Sequence, residues 1–384
     1  MIGIINVQWF DNPGAVWLAY ALQQTVNNMG YENKIIDYAS GGGQEVKLSE
    51  IQKIVKAIEK VKNRILKLQV VNSKFLYTQL RQRHEKYQKF REQYLERTER
   101  FTDQDNKLLY DFDAYIVGSD VVWKPSILLS KDEKVYFLSF LNENTDKIKI
   151  AFAASVGTAD DNILKKYRAL YKEKVENFDY VSVREKQTAD FLNSIMTKKA
   201  ITLMDPVFLL DKKEYINLIG TKKVKEKYIY FYMLELNEMA VEYAIYLSEK
   251  TGYKILYDLH TLDNMRLVKK LKKYGYPCVN DGPLEFLEKI QCSEYVVTNS
   301  FHGTAFSIIM QKEFYTFSCY NEGINVSLRM ENLLKELNLY NRYNVIQNRK
   351  LEKINYNQID EKIGMKRKES IKFLQNAMTT LKNK

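Results

Sequence analysis

The sequence predicts an α/β protein of two Rossmann-like lobes facing a cleft, with a helical insertion in the N-terminal lobe. Three observations carry that prediction. Short β-prone runs alternate with runs of helical period along most of the chain, the signature of repeated βα units. The chain has 384 residues, long for one hydrophobic core and comfortable for two. A charged, turn-like stretch at 221–227 (TKKVKEK) then separates two such alternating halves. Residues 1–210 are read as the N-terminal lobe, 211–355 as the C-terminal lobe and 356–384 as a helix packing back on the first lobe.

The elements follow in order. Residues 2–7 (IGIINV) read as a strand, and the loop WFDNPGA leads into a helix with Val16, Leu18, Ala19, Leu22 and Val26 on one face. A second strand at 33–38 completes a βαβ unit, whose two strands should be parallel with a right-handed crossover. The first loop therefore lies at the carboxyl end of a strand, where open α/β sheets bind ligands. No G-x-G-x-x-G is present, so a dinucleotide site is not supported. Gly41-Gly42-Gly43 reads as a linker into a polar helical arm at 47–105. Strands are expected again at 113–117, 148–154, 180–183 and 201–203, with a helix over 161–176. In the second half the pattern predicts strands at 228–233, 253–257, 276–279, 294–297 and 314–317. Helices fall between them, followed by one at 326–337 and a charged amphipathic tail at 357–381.

Composition excludes several classes. Apolar residues make up 45% and charged residues 28%, which is globular rather than disordered. Cys278, Cys292 and Cys319 lack metal-ligand spacing and read as reduced core residues, so no metal site is expected. The start has no basic segment followed by a long apolar core, and no apolar run is long enough to span a bilayer. A cytoplasmic protein is expected. The formal charge is +11, and between residues 47 and 100 there are 15 Lys and Arg against 6 Asp and Glu. That arm reads as a solvated helical surface, including His84, with peripheral contact at the inner face of a membrane as the next reading. Nucleic acid is not expected, because the aromatic and glycine pattern of an RNA-binding sheet is missing.

The segment 298–304 (TNSFHGT) lies between a strand and a helix. The unpaired N–H groups and partial positive charge of a helix start suit an anion, Gly303 permits close approach, and His302 adds a proton donor. Ser300 and Thr304 read equally well as caps of that helix. Three further strand ends carry polar groups. After 117 come Ser119, Asp120 and Trp123, a hydroxyl, a carboxylate and a flat ring that suit a sugar, or an Asx turn with a core indole. Ser155 follows the strand ending at 154. Arg184 precedes a helix, where a cation opposes the helix dipole; either an anionic ligand or a salt bridge to Glu185 or Asp205 must favour it.

Taken together these residues resemble the polysaccharide pyruvyl transferase family, from residue 2 to about 340. The resemblance rests on Asn12, Gly14, Ala15 and Ala19–Leu22; on Gly30-Tyr31 with Ile35–Tyr38; and on Gly118-Ser119-Asp120 with Trp123. It continues through Ala154–Gly157, Val181–Glu185, Asp205-Pro206-Val207, Thr298, Ser300–Gly303 and Arg329 with Leu333-Leu334. The resemblance implies a GT-B-like fold. It also implies transfer of pyruvate from phosphoenolpyruvate to a sugar of a surface polysaccharide or lipid-linked precursor, forming a cyclic ketal without a further cofactor. His302 would be the acid-base, with Asp120 and Arg184 also catalytic. Arg184, Ser300, His302, Gly303, Thr304 and Arg329 would hold the donor. Asn12, Gly14, Ser119, Asp120, Trp123 and Ser155 would face the acceptor.

The chain departs from the family pattern in three places. Phe301 stands where some members carry an arginine, and 321–325 lacks a lysine found in others, so a cationic contact is expected to move to Arg329 or Lys312. The first loop reads Asn-Pro-Gly rather than Asn-Tyr-Gly. Two other functions remain open on the same scaffold: glycosyl transfer from a nucleotide sugar, and a non-catalytic role in glycan assembly.

Overall fold

The computed structural model describes residues 1–39, 73–102, 111–141, 145–157, 161–221, 226–258, 265–278, 280–321, 324–347 and 352–382. The expected linker at 41–43, the first half of the arm and His260 lie outside the described residues.

Two parallel sheets form the molecule. The first contains β1 (Ile2–Ile5), β2 (Asn33–Ile35), β5 (Ala114–Val117), β6 (Ile148–Ala154), β7 (Tyr180–Val183) and β8 (Ala200–Thr202), in the order β2-β1-β5-β6-β7-β8. A small parallel pair, β3 (Tyr38–Ala39) with β4 (Phe101–Thr102), stands apart. The second large sheet is β11-β10-β9-β12-β13, from β9 (Tyr228–Tyr232), β10 (Lys254–Asp258), β11 (Gly275–Cys278), β12 (Tyr295–Thr298) and β13 (Glu313–Thr316). Strands β1, β5 and β12 are buried at nearly every position, as parallel strands covered on both faces must be. This is the two-lobed, GT-B-like architecture. The strand expected at 33–38 breaks after Ile35, and the helix expected at 161–176 is two, Asp161–Lys166 and Arg168–Val175.

In each sheet the chain order reverses once, between β1 and β5 in the first and between β9 and β12 in the second. Ligands bind open α/β sheets outside the carboxyl ends of the strands at such reversals. The loops after β1, β5 and β12 are therefore the ones to examine.

The lobes share apolar packing at their junction. Trp17, on the helix Pro13–Asn28, is fully buried; its ring meets Tyr215 at 5.5 Å and Phe306 at 6.1 Å, and its Nε1 donates to the Pro283 carbonyl at 3.0 Å. The C-terminal helix Tyr356–Lys382 lies across the first lobe, with Phe373 against Phe152 and Tyr180, and Arg367 donating to the Phe208 and Leu210 carbonyls.

The described part of the arm differs from the solvated helix expected. In the helix Ser73–Tyr94, Arg83, Tyr87, Phe90 and Arg91 are buried. Arg91 holds the loop after β1, Arg83 lies 3.8 Å from Asp258 of the other lobe, and Lys86 pairs with Glu285 at 2.7 Å. His84 is not simply solvated, since its Nδ1 meets Asp11 Oδ2 at 2.6 Å. Arg97 and Arg100 both pair with Asp37. These cations pair with carboxylates of other segments, which gives this part of the arm a bracing role. Among the described residues no helix is long and apolar enough to cross a membrane.

Candidate active site

Arg184 follows β7 directly, so the sheet aims its side chain toward the second lobe. Its Nη1 forms an ion pair with Asp205, and its Nη2 lies 3.4 Å from Asp120 Oδ1. Asp120 follows β5 with a φ of 76°, the left-handed region that aspartate tolerates better than most residues. The same Asp120 oxygen accepts from Arg329 Nη1 at 3.1 Å, and Arg329 sits in the first turn of the helix Leu328–Glu336 in the C-terminal lobe. Asp120 thus joins two guanidiniums, one from each side of the cleft. Beneath both lies Phe301, with the Arg184 guanidinium 4.8 Å and the Arg329 guanidinium 5.6 Å from its ring centroid.

His302 completes the group. Its Nε2 is 3.7 Å from Asp205 Oδ2, beyond hydrogen-bond length, and has no hydrogen-bond partner among the described residues. The Arg184 Nε is likewise without one. On its other side the imidazole rests on Gly14, where an added Cβ would sit 2.0 Å from Nδ1. Two lobes therefore meet at one ring. Residues 184 and 302, which are far apart in sequence, share the Asp205 carboxylate.

The electrostatics follow from this crowding. Burial pushes the Asp120 carboxyl up, but Arg329, Arg184 and His302 outweigh it and hold it below the ordinary carboxylate range. Burial also works against ionised Asp205, and His302 and Arg184 again prevail, leaving it well below that range. A cleft of about 250 Å³ opens beside the group, lined by Arg184, Arg329, Phe301 and Asp205 with Lys186 and Lys335 at its edge. The arrangement offers donors for a small anion and an imidazole beside them.

Several expected site residues have other roles. Trp123 offers no ring face to a sugar: it is fully buried, stacked 5.5 Å from Phe137, with Nε1 donating to the Tyr136 carbonyl. Ser155 is buried and donates to Glu185 at 2.6 Å; Ser119 is buried and donates to the Ala153 carbonyl at 2.7 Å. Ser300 caps the helix Phe301–Ile309 by accepting from the Gly303 N–H at 3.2 Å. Gly303 packs on Thr298, and Thr304 donates to the Ser300 carbonyl beside Thr316 and Met330. The first-turn amides of Gly303 and Thr304 are thus engaged within the protein rather than open to a donor. Asn12 caps the helix Pro13–Asn28 by accepting from Ala15 N–H. Arg329 reaches the cleft, whereas Lys312 lies beyond the far end of the helix Phe301–Ile309, near Glu294 and Lys212. The site also includes Asp205, which sequence reading placed only as a partner for Arg184. Its one signal was the Asp-Pro-Val match.

Metal-type ligands converge elsewhere, against expectation from spacing alone: Asp258, Cys278 and Asp281 bring ligand atoms within 4.8 Å of one another. Lys289 pairs with Asp281 there and burial pushes the Cys278 thiol up, so the protein itself supplies the positive charge.

The family model described as polysaccharide pyruvyl transferase matches residues 12–321. The chain belongs to the polysaccharide pyruvyl transferase family. That span contains Asp120, Arg184, Asp205 and His302. No curated protein matches the sequence significantly. Among solved structures, a UDP-GlcNAc 2-epimerase from Neisseria meningitidis bound to UDP-GlcNAc is 13% identical, covering 98% of this chain and 99% of that one, with a TM-score of 0.48. The Methanocaldococcus jannaschii UDP-GlcNAc 2-epimerase is 11% identical over 94% and 91%, at 0.46. An E. coli heptosyltransferase with ADP is 11% identical over 95% and 99%, at 0.39. Likeness of this degree transfers no residue role to the pyruvyl transferase.

Proposed function

We propose that this family member transfers pyruvate from phosphoenolpyruvate to two hydroxyls of one sugar in a surface polysaccharide or its lipid-linked precursor, giving a cyclic ketal. The observation that carries the reading is the convergence of Arg184, Arg329 and His302 on the Asp120 and Asp205 carboxylates, beside a cleft that both guanidiniums line. The donor carries a carboxylate and a phosphate, and two guanidiniums with fixed donor geometry match such groups.

The steps balance as follows. The donor's methylene carbon takes a proton and becomes the ketal methyl, leaving a cationic carbon next to the carboxylate. One sugar hydroxyl attacks that carbon, phosphate leaves, and the second hydroxyl closes the ring. Two hydroxyl protons are released, one replacing the proton added at carbon and one leaving with phosphate. His302 is assigned the proton steps. In the free enzyme Asp120 is held by two guanidiniums and is a poor base. A bound donor competes for those guanidiniums, which frees Asp120 to take a hydroxyl proton. No cofactor beyond the co-substrate is invoked, and the reaction is placed in the cytoplasm.

The test is incubation with phosphoenolpyruvate and a panel of lipid-linked or nitrophenyl sugars, read by phosphate release and mass gain, beside thermal-shift measurements. Stabilisation by phosphoenolpyruvate with nucleotide sugars inert supports the reading. Stabilisation by nucleotide sugars alone replaces it with glycosyl transfer, and response to neither points to a binding role.

A further inference from the structure

Burial of Trp123 leaves open where the acceptor finds an aromatic face, and the loop after β1 supplies one. Trp9 and Phe10 stack with ring centroids 3.7 Å apart and planes 26° from parallel. Phe10 is 47% exposed; no other phenylalanine or tryptophan among the described residues is among the exposed large hydrophobics. An exposed ring on a loose loop would fold inward. This loop is fixed: the fully buried Arg91 donates from Nε to the Gln8 carbonyl at 2.9 Å, from Nη2 to the Phe10 carbonyl at 2.6 Å, and to Asp11 at 3.1 Å. Asn12 N–H also donates to the Phe10 carbonyl at 2.8 Å. The backbone on both sides of Phe10 is therefore held, and its ring stays outside.

The pair lies a few residues from the reacting groups. Along the chain, Phe10 is four residues from Gly14, which touches His302, so the Cα of Phe10 lies within ~14 Å of that contact. The loop after β1 also flanks the order reversal of the first sheet, where open α/β sheets bind ligands. A pyranose has an apolar C–H face that stacks on an aromatic ring while its hydroxyls stay in water. A separation of at most ~14 Å is one that a sugar adjacent to the reacting one can span.

We propose that Trp9 and Phe10 form a subsite for an acceptor sugar adjacent to the one that receives pyruvate, so that the enzyme selects oligosaccharides over monosaccharides. The inference rests on the pyruvyl-transfer reading. The experiment uses the full chain with phosphoenolpyruvate and p-nitrophenyl glycosides of glucose, galactose and N-acetylglucosamine, each as mono-, di- and tetrasaccharide. For a sugar that is turned over, kcat/KM should favour the tetrasaccharide over the monosaccharide. Phe10→Ala should cut that preference about tenfold, the equivalent of about 1.4 kcal/mol, and Phe10→Tyr should restore it. A wild-type enzyme indifferent to length, or a Phe10→Ala enzyme with the preference intact, overturns the subsite. Should phosphate release be absent for every sugar, the reaction reading fails by itself, and the subsite is then judged by Trp9 fluorescence on adding tetrasaccharide without donor. A saturable change lost in Phe10→Ala sustains it, and no change removes it.

Discussion

Arg91 and Arg184 are both buried guanidiniums beside the carboxyl ends of first-lobe strands, yet their surroundings differ in one respect. Arg91 has all three nitrogens engaged: two backbone carbonyls and the Asp11 carboxylate take its donors. Arg184 shares Asp120 with Arg329, has its buried Nε 3.8 Å from Glu185, and lines a cleft with the rest of its guanidinium. A buried cation whose donors are all satisfied holds a loop in place. One that shares its carboxylate with a second guanidinium and lines a cleft can exchange that partner for an anionic ligand.

Substitutions test that distinction, beginning with the largest effect. Arg91→Ala strips the β1 loop of its brace and should lower stability by about 3–5 kcal/mol in urea unfolding; an unfolding midpoint equal to wild type would erase the contrast. Arg184→Lys keeps a charge but loses the fork, and should reduce kcat about 10²–10³-fold with a smaller stability loss than Arg91→Ala. Arg184→Ala would confound the test, because Asp205 would be left buried and short of a partner.

Gly14→Ala comes next. The added methyl would collide with the His302 imidazole, and misplacing an acid-base group costs about 10²-fold in kcat. Wild-type turnover in this variant would show that the ring does not need its present seat. Arg329→Gln should raise the donor KM about tenfold and change kcat less, since Asp120 still has Arg184.

The mildest effect is on pH dependence. Asp205 and Asp120 have folded values below the unfolded carboxylate value of ~3.9, so their stabilisation is complete above that pH and is lost as pH falls through the folded values. The urea midpoint of the wild type should fall below about pH 4, and Asp205→Asn should show a shallower fall. Equal slopes would separate these carboxyls from acid unfolding.

The sequence exposed the helix and strand patterns well because they depend on local period, and the lobes' alternation survives in both sheets. It also pointed to Arg184, His302 and Asp120, residues whose chemistry is unusual for their position at strand ends or helix starts, and the family resemblance added Arg329. It left Trp123, Ser300 and Thr304 open between a site and a core or capping role, and the structure buries them together with Ser119 and Ser155. Residue type and strand-end position are the same for a side chain turned to a cleft and one turned to the core, and nothing local separates the two. The described arm shows the same limit, since a basic helix reads as solvated until Asp11, Asp258 and Glu285 arrive from elsewhere in the chain.

Alternating period, strand-end chemistry and family motifs were fixed by the order of residues, because each depends on neighbours a few positions apart. Which arginine is braced and which is available, the seat of His302 on Gly14, and the outward ring of Phe10 were decided only when the two sheets came together. Those features are contacts between segments up to about three hundred residues apart, and only the packed chain brings such segments within reach of one another.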